Sequence, residues 1–118
     1  MSVFAQTVII LVALLHLGFL VLEMFLWEKP VGLKVFGQTK EQASHSKVLA
    51  ANQGLYNGFL AAGLLWGWSL EANGTDIVIF FLCCVIAAGI FGAVTANRNI
   101  LYIQALPAAI AIFLIYFT

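Results

Sequence analysis

Nine of the ten charged side chains in this 118-residue chain fall in three links, and the stretches around those links are apolar and long enough to span a membrane. The links are residues 28–47 (Glu28, Lys29, Lys34, Lys40, Glu41, Lys47), residues 71–76 (Glu71, Asp76) and residues 97–99 (Arg98). Between them run four apolar stretches, from about Val3 to Trp27, Val48 to Leu70, Ile77 to Ala96 and Ile100 to Phe117. About 17–25 residues cross the hydrocarbon core as a helix. Backbone groups cannot stay unpaired in lipid, and the period-two alternation of barrel strands is absent, so each stretch is predicted to be a helix. With 64% hydrophobic and 8% charged residues, a soluble domain of this size would have too little interior for its apolar surface. The prediction is an all-α polytopic membrane protein, a single domain over residues 1–118 with four transmembrane helices.

Charge sets the orientation. All four lysines lie in the first link and the only arginine in the third, whereas the second carries two acids and no base. The positive-inside rule then places the basic loop at about 28–47 in the cytoplasm and both termini outside. Trp27 is predicted to mark the inner interface, and Trp66 and Trp68 the outer one. No Lys or Arg precedes the first run, which is also longer than the apolar core of a signal peptide, so it reads as a retained helix. Zero formal net charge argues against a nucleic-acid partner.

Local signals refine the links. Pro30, Gly32 and Gly37 read as breaks in the first one. Thr39 followed three residues later by Gln42 is a capping-box pattern, which predicts a helix from about Thr39 to Leu70. Such a helix would be roughly 50 Å long and would begin in the cytoplasm. Cys83 and Cys84 are adjacent in an apolar run and point apart on a helix, so they indicate packing rather than a disulfide framework.

The polar residues inside the apolar stretches carry the functional expectation. Given this topology, Glu23, Asn52, Gln53, Thr95 and Gln104 fall at one depth in the cytoplasmic half. His16 and Glu23 are seven apart and share a face of the first helix. Gln53 and Asn57, like Asn52 and Tyr56, are i,i+4 neighbours on the second. Amides inside a membrane commonly serve as interhelical hydrogen-bond glue, worth about 0.6 kcal/mol each, and glycine pairs such as Gly63 and Gly67 commonly serve packing. A carboxyl and an imidazole are costlier there and point to a site. Glu23, His16, Asn52, Gln53, Tyr56, Asn57 and Gln104 are therefore the candidate ligand-binding residues. One His and one Glu with amides do not form the usual donor set for zinc, so no metal is expected. No motif specifies a cofactor or a nucleophile.

The runs Leu22-Glu23-Met24-Phe25-Leu26-Trp27, Asn52-Gln53-Gly54-Leu55-Tyr56-Asn57, Gly89-Ile90-Phe91-Gly92 and Gln104-Ala105-Leu106-Pro107-Ala108 resemble a family of small bacterial four-helix membrane proteins of unknown function. The resemblance covers essentially the whole chain and implies a multi-pass protein of the bacterial cytoplasmic (inner) membrane, with no implied reaction. In architecture the chain is also similar to microsomal glutathione transferases, which implies a thiol-dependent transferase with Tyr56 or Arg98 activating a co-substrate. Those enzymes hold an anionic co-substrate largely through arginines, where this chain offers Arg98 and Lys47. Small multidrug transporters share its length, helix number and a Glu in the first helix, which implies proton-coupled movement of a cation. The leading expectation is an inner-leaflet polar pocket that binds a small or lipid-like ligand, in a protein whose partners are membrane lipids and further copies of itself.

Overall fold

The computed structural model describes all 118 residues and is helical throughout, with no strand. Five α-helices follow one another: α1 (Val3–Met24), α2 (Pro30–Phe36), α3 (Lys40–Ser69), α4 (Thr75–Thr95) and α5 (Leu106–Phe117). A 3₁₀ turn, Glu71–Gly74, precedes α4, and a π-helical stretch, Leu101–Ala105, precedes α5. Two of these segments, Val3–Met24 and Glu71–Thr95, are long and apolar enough to cross a membrane. Of the residues in their apolar windows, 28% and 22% are buried within the chain.

The other two expected spans differ from these for identifiable reasons. In α3 the apolar pattern is diluted by Asn52, Gln53, Asn57 and four glycines, and its first turns are charged. The last stretch, Leu101–Phe117, is shorter and is interrupted near its start. Pro107 has no N–H to give, and its ring crowds the carbonyl four residues back. The ladder widens there into i→i−5 bonding, with Leu106 N–H donating to the Leu101 carbonyl.

The link at residues 28–47 is not an open loop. Pro30 occupies the first turn of α2, where its missing N–H costs nothing, and Gly37 ends that helix in the left-handed region at φ 62°. Gln38 N–H closes the turn on the Leu33 carbonyl at 3.0 Å. The residues that read as breaks thus bracket a helix. Beyond it the capping box is formed reciprocally: Gln42 N–H donates to Thr39 Oγ1 at 3.1 Å, and Thr39 N–H to Gln42 Oε1 at 3.0 Å.

The chain divides into two compact units. One comprises Met1–Leu14 with Leu60–Thr118, and its core is Ala5, Ile9, Leu64, Val78, Leu82, Val85 and the small Ala105, Ala108 and Ala111. Its glycines are packing positions: Gly63 lies on the Phe81 ring, and Gly67 against Val78 and the Gly74 carbonyl. Gln6 accepts a hydrogen bond from the Trp68 indole at 3.0 Å in this unit. The other unit, Leu15–Phe59, contains the end of α1, all of α2 and the first two-thirds of α3.

Candidate functional site

Within the unit Leu15–Phe59, small residues bring α3 onto the end of α1. Ala50, Gly54, Asn57 and Gly58 recur at helical spacing, and the first three are buried. A Cβ on Gly54 would stand 2.7 Å from Met24 Cγ and 3.0 Å from Glu23 Cβ, and one on Gly58 would stand 2.6 Å from Leu20 Cδ1. Glycine at both positions lets the helices meet closely enough for short side chains to bridge them. Asn57 Nδ2 donates to Glu23 Oε1 at 2.6 Å, with Glu23 3% and Asn57 7% exposed. Gln53, one turn earlier on the same stripe, is exposed and lies near enough to act on the same carboxyl.

Of the two i,i+4 pairs on this helix, the stripe Gln53/Asn57 meets Glu23 through Asn57, whereas neither Asn52 nor Tyr56 bonds it. Asn52 is exposed and donates to the Val48 carbonyl of its own helix at 3.1 Å. Tyr56 is 61% exposed, and its ring lies 6.0 Å from that of Phe59. His16 is fully buried, with Phe19 edge-on to its ring at 5.5 Å. Gln104 belongs to the other unit, in the π-helical stretch, as does Thr95, which donates to the Phe91 carbonyl at 2.7 Å.

A cavity of about 740 Å³ opens beside Glu23. Its walls come from the end of α1, the start of α2 and the first half of α3, all in the same unit. Glu23 and Asn52 line it; His16, Gln53, Tyr56 and Asn57 do not. Charged groups of both signs stand on the wall: Glu23 and Glu28, and Lys29, Lys40 and Lys47. Met24, Phe25, Val48 and Leu55 supply apolar surface. The turn between α1 and α2 is fixed by Trp27, whose indole N–H is shared between the Ala43 carbonyl at 3.1 Å and Ser46 Oγ at 3.2 Å. The Trp27 ring also packs on Phe36 at 4.8 Å, so the residue expected to mark an interface also ties α2 to α3.

In the sequence Lys29 and Lys40 are legible only as an orientation signal, and Lys47 also through the transferase resemblance. Their place in a site follows from α2, whose proline and glycine ends fold the link back instead of letting it extend.

Residues 10–116 match a family described as a protein of unknown function, DUF1304. The chain belongs to this family. The DUF1304 match takes in Glu23, α2, α3 and every residue lining the cavity. A relative, the uncharacterized protein YpaA of Lactococcus lactis subsp. lactis (strain IL1403), is 29% identical over 119 residues. That alignment takes in 99% of this chain and 100% of the relative, so the likeness runs along the relative's full length. No solved structure matches the chain.

Proposed function

We propose that this DUF1304 protein is a four-span integral membrane protein, with both termini outside, whose cavity at Glu23 binds a small or lipid-like ligand from the cytoplasmic side. One observation carries the reading: a carboxyl buried against α3 and held by Asn57 opens onto a cavity on whose wall apolar side chains stand with three lysines and Glu28. Cavities of a few hundred Å³ with mostly apolar lining and a few convergent polar groups are the usual form of ligand sites. A buried carboxyl kept only for packing would need no such opening. The length and apolar composition of α1 and α4 and the confinement of Lys and Arg to two links support the membrane setting. Tyr56, the hydroxyl on which a transferase reading would depend, stands outside the cavity lining.

Orientation is tested with reporters that are active on only one side of the membrane. An alkaline phosphatase fused after Thr118 is expected to be active and one fused after Gln38 inactive, with a fluorescent protein reporting the reverse. The opposite pattern at either position removes the topology.

The pocket is tested by filling it. Leu55→Trp adds bulk to the cavity wall at a position that is exposed and outside the close α1–α3 contact. The variant is expected to fold and to lose small molecules or lipids that co-purify with the wild type, read by native mass spectrometry. Equal retention by both proteins would remove the pocket from this account.

A further inference from the structure

The cavity wall carries opposite charges on different elements. Lys40, Lys47, Ala51 and Leu55 recur at intervals of seven, four and four residues and so lie along one face of α3. On that face the two lysines come first and the apolar residues follow. The face continues as exposed Phe59, and exposed Val48 lies beside it. Lys29 stands at the entry to α2 on the same cavity. This order, cations followed by a strip of exposed apolar side chains, matches a phosphate headgroup followed by an acyl chain. Glu23 and Glu28 supply the contrasting charge, and of the two Glu23 is the buried one. Its hydrogen-bond partner Asn57 is a neutral amide, which orients a carboxylate without compensating its charge. A purely anionic ligand would satisfy the lysines and leave Glu23 facing it. A ligand with N–H donors on a positive group would satisfy both.

We infer that the cavity takes a phospholipid whose headgroup bears a primary ammonium, with the phosphate among Lys29, Lys40 and Lys47, the ammonium on the Glu23 carboxylate and an acyl chain along Val48, Leu55 and Phe59. This rests on the pocket reading above and adds the ligand's chemistry to it. A quaternary ammonium carries the same charge but has no N–H to donate, and a glycerol headgroup has no positive charge, so neither makes the charge-assisted bond.

The test uses the full chain in detergent micelles, with native mass spectrometry reading retention of added phosphatidylethanolamine, phosphatidylcholine or phosphatidylglycerol. Phosphatidylethanolamine is expected to bind about tenfold more tightly than either of the others, the weight of one charge-assisted hydrogen bond. Glu23→Gln is expected to abolish the preference, so that phosphatidylethanolamine and phosphatidylglycerol bind alike. The headgroup ranking on the wild type requires no variant to fold. Equal binding of phosphatidylethanolamine and phosphatidylglycerol, with both lost in Leu55→Trp, overturns the ammonium assignment and leaves the pocket standing. If all three lipids are retained by Leu55→Trp as by the wild type, both readings fail. Displacement of phosphatidylethanolamine by inorganic phosphate alone would identify free phosphate as the ligand and overturn the lipid.

Discussion

Gly32→Ala is expected to destabilise the protein by about 3 kcal/mol, at the upper end of what overpacking usually costs. The added Cβ would lie 1.9 Å from the Leu26 carbonyl oxygen and 2.8 Å from its carbon. Those atoms are backbone, so no rotamer change relieves the clash, and either α2 shifts or the turn at Leu26 and Trp27 opens. Because the turn and the start of α2 both line the cavity, ligand retention should fall together with stability. Gly18→Ala is the matched control. Gly18 is exposed in α1 with nothing within 4 Å of the added Cβ, and removing a helical glycine stabilises by roughly 0.5–1 kcal/mol. Denaturant unfolding in detergent compares the two. Similar unfolding free energies for both variants would show that α2 does not sit on the Leu26–Trp27 turn.

Asn57→Leu should cost about 2–3 kcal/mol. A neutral polar contact between membrane helices averages only about 0.6 kcal/mol. Removing one partner of a buried ionisable group costs more, because the group left behind keeps its desolvation penalty. Leucine also removes the small side chain that lets α3 lie close beside Gly54 and Gly58. The two causes separate in a double-mutant cycle with Glu23→Leu. If the orphaned carboxyl dominates, Asn57→Leu should cost much less when Glu23 is already leucine. If bulk dominates, the two costs should add, and the Glu23–Asn57 bond would be incidental to stability. Asn57→Ala, which removes the amide without adding bulk, should fall between wild type and Asn57→Leu.

Both predictions concern features that the linear chain shows only in part. Apolar stretches and their links are readable because burial in lipid demands long uninterrupted helices. The start of α3 is readable because Thr39 and Gln42 satisfy each other's backbone N–H groups locally. Pro30 and Gly37 have the composition of interruptions but are the two ends of one short helix. Pro107 likewise accounts for the π-helical stretch before α5, through an effect that reaches four residues back along the helix.

The site was less legible. Spacing alone put Gln53 with Asn57 and Asn52 with Tyr56, and gave no reason to prefer either pair as the partner of Glu23. The choice is made by Gly54 and Gly58, which share a face with Asn57 and allow α3 to approach α1 on that side. The seven-residue interval between His16 and Glu23 fixes a shared helix face but not what either side chain meets. His16 lies fully buried beside Phe19, and the cavity wall is completed by lysines from the link.

By itself the sequence determined that this chain is helical and that Glu23 is the one charged side chain in an apolar run; it predicted four membrane-spanning segments, of which two form helices long and apolar enough to cross. Those properties depend on residues near one another in the chain, through hydrophobic length, helical period and local capping. Only the tertiary structure decided which amide holds Glu23 and that three lysines share its cavity. Both depend on how closely α1 and α3 approach and on where α2 turns the link back. The Cβ atoms absent from Gly54, Gly58 and Gly32 set those distances.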